Sequence, residues 1–271
     1  MPELPEVTVI AMGLRKAVLG KSILKADFWP SRIFFSTPAE LKNALTGASI
    51  KKIRRRGKFL LFYLSSGFIM LVHLGMTGQL LLEEGSRDDR HLMMELQFEG
   101  GGGLILRDPR RFGKLGLLQN PADYPGLAAL GKDALAGLGS GREILEVFKG
   151  SSLPLKNLLL DQSRISGVGN IYASEALFLS GLSPLRAGKT LKVKEAELLR
   201  KALKSVLKQA VKAGGTTFDG TYVNSGGEAG EFLDHCRVYE RQGEKCRRCG
   251  GTIRKITQSG RSTYFCPECQ R

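Results

Sequence analysis

At 271 residues the chain is longer than the roughly 100–200 residues of one core, and its 42 % hydrophobic and 25 % charged residues exclude a disordered or fibrous protein. Lys and Arg number 41 against 26 Asp and Glu, and the formal charge of +15 points to a polyanion, nucleic acid ahead of a membrane because no single basic amphipathic helix gathers these charges. No apolar run reaches bilayer length and residues 1–16 lack a basic stretch followed by an apolar core, so a cytoplasmic protein without membrane contact is expected.

The chain opens Met1-Pro2-Glu3-Leu4-Pro5-Glu6. Removing Met1 exposes a secondary amine. A free α-amine titrates near about 7.7–8.0 and a lysine near about 10.4, so at neutral pH roughly a tenth of the terminal amine is unprotonated. Attack by that amine on a carbonyl-like carbon gives an iminium cation, an electron sink for breaking neighbouring bonds, with Glu3 or Glu6 at hand to move protons. The same hexapeptide also reads as a terminus stiffened by proline.

Residues 1–17 look helical, and from about 22 to 118 short apolar runs alternate with Gly, Pro, Asn and Asp. Strands are expected at 60–64, 68–72, 79–82, 94–98 and 104–106, with turns at Ser65-Ser66-Gly67 and Gly100 to Gly103. Strands that follow one another without long helices favour a sandwich over a parallel sheet. Within this half, Lys51 to Lys58 carries six positive charges in eight residues. That run attracts phosphates or serves as a charged strand edge, and Lys58 is a candidate second amine. The loops His73-Leu74-Gly75-Met76-Thr77-Gly78 and Asp108-Pro109-Arg110-Arg111-Phe112-Gly113 present a bulky side chain among glycines. Such residues wedge between base steps or fill the hole left by an extruded nucleotide; they also anchor loops to a core.

Periodicity is lost between Pro121 and Lys132, where a domain boundary is expected. Helices are then predicted at 141–149, 154–161, 169–180 and 193–213, with Gly150, Gly181 and Gly214 at the stops. In the last, Lys201, Lys204, Lys208 and Lys212 line either a phosphate-facing or a solvated stripe. Gly167 to Ala173 opens a helix whose first N–H groups and Asn170 suit a phosphate. Without a Walker lysine or a preceding strand, that string excludes a nucleotide cofactor. Cys246-x2-Cys249 and Cys266-x2-Cys269, sixteen residues apart, have the spacing of one structural Zn2+ per chain, and four thiolates leave no place for a catalytic water. Cys236 is left as a free thiol. From Glu244 to Arg271 seven basic residues face two acidic ones, and Ser259-Gly260 forms a hairpin turn beside Arg261, so this finger is built to meet an anion.

Taken in order, the Pro-Glu-Leu-Pro-Glu start, Arg56-Gly57-Lys58, the two glycine-flanked loops, Gly167 to Glu175, Gly214 to Thr217 and the four-cysteine finger with Arg261 resemble the formamidopyrimidine-DNA glycosylases, bacterial enzymes that excise oxidised purines such as 8-oxoguanine. The resemblance implies an α+β chain: an N-terminal β-sandwich catalytic domain (1–132), a helical helix-two-turn-helix DNA-binding domain (133–235) and a zinc finger (236–271). It implies a bifunctional glycosylase and AP lyase acting on damaged double-stranded DNA. Pro2 would attack C1′ and form a Schiff base, Glu3 would handle protons at the sugar, and Lys58 and Arg261 would assist β,δ-elimination.

Met76, Arg110 and Phe112 match the family's void-filling trio, while His91, Lys156, Asn170, Tyr239 and Arg261 match positions that hold phosphates. Residues 214–230 would close over the base. Thr8, Met93 and Ser151 depart from the family's usual residues, away from the proposed chemistry. A monomer is expected, in the bacterial cytoplasm and at the nucleoid while bound to DNA. Two rivals remain: an endonuclease VIII-type glycosylase for oxidised pyrimidines, against which Leu4 and the Met76 and Phe112 loops weigh, and a non-catalytic zinc-ribbon DNA-binding protein.

Overall fold

A computed structural model describes residues 1–83 and 89–271, which divide into two compact units: residues 1–128 with 213–231, and residues 129–212 with 232–271. The first unit begins with α1 (Leu4–Val18), then β1 (Ile23–Phe28), α2 (Pro38–Leu45), β2 (Ile50–Arg56), β3 (Phe59–Leu64) and β4 (Ile69–His73). It continues through β5 (Gln79–Leu81), β6 (Leu92–Phe98), β7 (Gly103–Arg107), β8 (Lys114–Leu118) and the short α3 (Pro125–Ala128).

The strands form two antiparallel four-stranded sheets, ordered β1-β6-β7-β5 and β2-β3-β4-β8. Ile23, Leu96 and Leu106 of one sheet share a single apolar cluster with Ile53, Phe62 and Val72 of the other, so the layers form the expected sandwich. On α1, Val7, Ile10, Ala11, Leu14 and Val18 recur at helical spacing and bury against the same cluster.

Two local features differ from or sharpen the sequence reading. The helix α2 lies where only strands were expected. Its start is a capping box: Glu40 N–H donates to Thr37 Oγ1 at 3.2 Å, Thr37 N–H donates to Glu40 Oε2 at 2.7 Å, and Pro38 occupies the first turn. The basic run forms the edge strand β2, with Lys51, Lys52 and Arg54 exposed. A register shift between Ile50 and Lys52 allows Ile50 and Ile53, three residues apart, both to face the core.

The second unit holds β9 (Lys132–Asp133), α4 (Gly141–Phe148), α5 (Leu155–Leu160), β10 (Ile165–Ser166), α6 (Asn170–Ser180), α7 (Val193–Lys212) and the hairpin β11 (Arg254–Gln258) and β12 (Arg261–Phe265). The four helices fall where the apolar periodicity puts them. Helix α6 is buried from Tyr172 to Phe178 because α5, α7 and β12 all pack on it. Helix α7 buries Leu199, Leu203, Val206 and Ala210 and leaves Lys201, Lys208 and Lys212 in solvent.

After α7 the chain returns to the first unit for residues 213–231. Thr216 N–H donates to Glu6 Oε1 at 2.8 Å, Leu82 N–H donates to the Ser225 carbonyl at 2.8 Å, and Tyr222 enters the sandwich core. The helical domain read from the sequence, 133–235, therefore spans residues of both compact units. Bonds between positions some 210 residues apart leave no trace in local periodicity.

Candidate functional site

Met1 is 52 % exposed, whereas Pro2 is buried immediately before α1. Glu3 is the N-cap residue and is 3 % exposed. Glu6 Oε2 accepts the Glu3 N–H at 2.7 Å while Oε1 accepts the Thr216 N–H. Glu6 thus fixes both the start of α1 and the returning segment, a positioning role. Lys58 sits in the β2–β3 turn, 8 % exposed, where Gly57 takes a left-handed φ of 56° and Arg55 Nη1 donates to the Gly57 carbonyl at 2.8 Å.

At the end of β4, the His73 ring lies 4.7 Å from that of Phe59, and its Nδ1 accepts the Gly75 N–H at 3.2 Å. Burial, aided by the charges of Lys58 and Lys114, pushes the His73 imidazole down to about 4, consistent with a neutral ring acting as acceptor.

The two glycine-flanked loops are one structure, held by Asp108. Its carboxylate, 1 % exposed, accepts the Thr77 hydroxyl at 2.9 Å on Oδ1 and the Gly113 N–H at 2.8 Å on Oδ2. Thr77 Oγ1 in turn accepts the Arg110 N–H at 3.3 Å. Gly75 is required here, because at φ 60° a Cβ would lie 2.5 Å from the Phe112 carbonyl carbon. This frame leaves Met76 39 % and Phe112 45 % exposed, with the Arg110 guanidinium 4.7 Å from the Phe112 ring centre. His91 joins through its carbonyl, which accepts the Asp108 N–H at 3.0 Å, and its own N–H donates to Asp89 Oδ1 at 2.9 Å. Sequence reasoning named Met76, His91, Arg110 and Phe112 but passed over Asp108, which gathers them.

In the second unit, α5 grips the hairpin. Lys156, 1 % exposed, donates from Nζ to the Ser262 carbonyl at 2.5 Å and to Thr263 Oγ1 at 2.7 Å, and Asn157 Nδ2 donates to Ser259 Oγ at 2.7 Å. Arg261 stands exposed just past the turn made by Ser259 (φ 47°) and Gly260 (φ 73°). Asn170 is the first residue of α6, and its Oδ1 is buried and accepts no hydrogen bond among the described residues.

One further turn into α6, the fully buried Glu175 accepts the N–H groups of Arg237, Val238 and Tyr239 at 2.8, 2.8 and 2.9 Å. Burial pushes its carboxyl up, opposed by these three donors and by Arg237 Nη1 at 3.8 Å. Glu175 thereby places Tyr239, whose ring packs edge-on against Tyr264 at 5.1 Å. It too was missed, although it ends the Gly167 to Glu175 stretch that carries the family resemblance.

The four cysteine sulfurs lie within 4.8 Å of one another. Cys246 and Cys269 are 3.9 Å apart and Cys249 and Cys266 are 3.5 Å apart, close to the roughly 3.8 Å edge of a tetrahedron with about 2.3 Å metal–sulfur bonds. The N–H groups of Arg248 and Gly251 donate to Cys246 and Cys249 Sγ at 3.4 Å. Burial opposes charge on Cys246, but the N–H groups of Arg248 and Cys249 together with the neighbouring Cys266 and Cys249 thiols bring that thiol down to about 7. A soft, closed donor set of this kind fits zinc. Cys236 stands apart from the cluster; it is buried, with its sulfur 3.7 Å from the Phe232 carbonyl.

Family models for the formamidopyrimidine-DNA glycosylase N-terminal domain, its H2TH domain and the zinc finger found in FPG and IleRS match residues 1–115, 130–221 and 243–271. This chain belongs to the formamidopyrimidine-DNA glycosylase family. A relative of that name from Gluconobacter oxydans is 39 % identical over 280 residues, covering 100 % of both chains. The MutM (Fpg) protein of Thermus thermophilus is similar in structure, with a TM-score of 0.88 and 38 % identity over 99 % of this chain and 98 % of that one. A Lactococcus lactis FPG mutant solved with a Fapy-dG containing DNA gives a TM-score of 0.91 at 32 % identity over 100 % of both chains.

The family comprises DNA-repair glycosylases with AP lyase activity. With its finger matched over the cluster, Cys246, Cys249, Cys266 and Cys269 make the site of one structural Zn2+. Pro2, Glu3, Lys58, Met76, His91, Arg110 and Phe112 lie in the first unit, and Lys156, Asn170, Tyr239, Arg261 and the cysteines in the second. No helix among the described residues is long and apolar enough to cross a membrane.

Proposed function

We propose that this chain removes oxidised purines, 8-oxoguanine and formamidopyrimidines, from duplex DNA and then cleaves the strand, with Pro2 as nucleophile. Support for this reading comes from the match of three family domains, in order, to a chain whose Pro2 leads straight into a capped helix beneath an exposed Met1. After loss of Met1, the Pro2 nitrogen bonds to C1′ as the bond from C1′ to the base breaks, and opening of the sugar ring at C1′–O4′ with a proton taken up by O4′ gives an iminium that has no N–H proton to lose. Glu3 moves protons at the sugar. Lys58 and Arg261 then assist the two eliminations that open the strand.

Met76, Arg110 and Phe112 fill the space left by the flipped nucleotide, where a few kcal/mol of lost stacking must be offset. His91, Lys156, Asn170, Tyr239 and Arg261 act on phosphates, and 214–230 covers the base. For Lys156 the contact runs through the finger it holds. Functionally, we assign catalysis to 1–132, DNA binding to 133–235 and the finger to 236–271, in a monomer of the bacterial cytoplasm that joins the nucleoid when bound.

Borohydride reduction on a duplex with one 8-oxoguanine tests this. Correctly processed protein should yield a covalent adduct that disappears in Pro2→Gly and when Met1 is retained. Processed protein that gives no adduct refutes the nucleophile.

A further inference from the structure

A second basic locus lies between the Glu175 segment and the turn that carries Cys246 and Cys249. Phe178, Gln209, His235, Arg237, Arg247 and Arg248 line a cleft of about 340 Å³ within the second unit, a size at the small end for ligand sites. Phe178 follows Asn170 by eight residues on α6, or about 12 Å of helix, so the cleft lies toward the opposite end of that helix from Asn170.

Its three guanidinium groups are anchored from the walls. Arg248 lies 4.4 Å over the Phe178 ring, Arg237 Nη2 donates to Gln209 Oε1 at 3.3 Å, and Arg247 Nη1 donates to the Asp234 carbonyl at 3.4 Å. Arg248 Nη2 reaches the Leu179 carbonyl at 3.4 Å. Each guanidinium carries five N–H donors; Arg237 Nη1 is buried beside Glu175, and most donors of Arg247 and Arg248 make no bond among the described residues.

Arg247 and Arg248 make no ion pair among the described residues. The one carboxylate beside Arg237, Glu175, already accepts three backbone N–H groups. Three like charges in one cleft repel one another, and even with Glu175 counted two remain unbalanced. Planar forks of fixed orientation with that excess match a tetrahedral oxyanion of about two charges better than the single charge of a phosphodiester.

We propose that this cleft binds a phosphomonoester dianion, supplied either by free phosphate compounds or by a phosphorylated DNA end. The test is calorimetric titration of the zinc-loaded full chain with inorganic phosphate at constant ionic strength and pH 8. Saturable binding is expected, weakened at least tenfold in R247Q/R248Q, whose exposed side chains are replaced and whose zinc content by metal analysis should equal that of the unaltered chain. Absence of saturable binding, or equal binding by the double variant, overturns the proposal; in the latter case phosphate sits on the Lys156 and Asn170 side. A 5′-phosphorylated, lesion-free duplex that binds more tightly than its hydroxyl-ended twin, with the gain lost in R247Q/R248Q, supports the DNA end as source. No such gain, with phosphate binding still lost in the variant, supports a free phosphomonoester.

Discussion

Removing the Glu175 carboxylate should loosen the segment that carries Tyr239 into the finger. In Glu175→Ala the N–H groups of Arg237, Val238 and Tyr239 all lose their acceptor, the Val238 bond fully buried and the other two partly so. Each orphaned buried donor costs about 1–3 kcal/mol, and partial relaxation brings the expected total to about 4 kcal/mol. Glu175→Gln separates geometry from charge. A carbonyl at the Oε1 position still accepts from Val238 and Tyr239, and only the Arg237 N–H then faces an amide donor, so about 2 kcal/mol is expected. Urea unfolding followed by circular dichroism gives the two values, and hydrogen exchange at the Val238 and Tyr239 amides localises them. A domain has only about 5–15 kcal/mol in all, so the alanine variant should sit near the edge of folding. Should alanine and glutamine cost the same, or alanine cost under about 1 kcal/mol, the carboxylate does not organise this segment.

Gly75→Ala forces a Cβ against the Phe112 backbone at a left-handed φ, so about 1–3 kcal/mol of stability and most discrimination for lesion DNA should be lost, as urea titration and gel shift would report. His73 ordinarily titrates near 6.5 and is held at about 4 when folded, so its contribution is complete above pH 6.5 and fades as pH falls toward 4. The stability gap between the native chain and His73→Gln should narrow by about 2 kcal/mol from pH 7 to pH 5; a gap independent of pH disproves the buried neutral ring. Cys249→Ala should lose the zinc measured by metal analysis and disorder the hairpin that presents Arg261; unchanged zinc content refutes the ligand assignment.

What was legible in the sequence is what local periodicity and fixed spacing encode. Helices α4 to α7 carry apolar stripes, those of α4, α6 and α7 ended by Gly150, Gly181 and Gly214, and the Cys-x2-Cys pairs declare the zinc site without reference to the rest of the chain. The strands from β3 to β7 also announced themselves through short apolar runs. By contrast, β1, β2 and β8 mix charges or glycine into half-buried strands, and α2 hides its capping box in a β-rich context. Among the candidate residues, Met76, Arg110 and Phe112 stood out because glycine-flanked strings present them on exposed loops. The buried Asp108 and Glu175 were illegible, because an acid whose partners are mostly backbone N–H groups has no partner type to search for.

Those acids share one device. Glu6 accepts from Glu3 and Thr216, Asp108 from Thr77 and Gly113, and Glu175 from three consecutive residues of the chain leading to the finger. A buried carboxylate is tolerable only when hydrogen bonds replace its lost water, and each of these uses the need to fix a loop or a turn. In a chain of charge +15, interior acids used this way do not neutralise the surface, which stays free to meet phosphate. The two classes of residue therefore separate in experiment. Loss of an exposed Arg or Lys should flatten the salt dependence of DNA affinity with little change in unfolding, since each phosphate contact contributes to counterion release. Loss of a buried acid should lower stability and leave that slope intact, because the basic side chains remain and only their placement is relaxed.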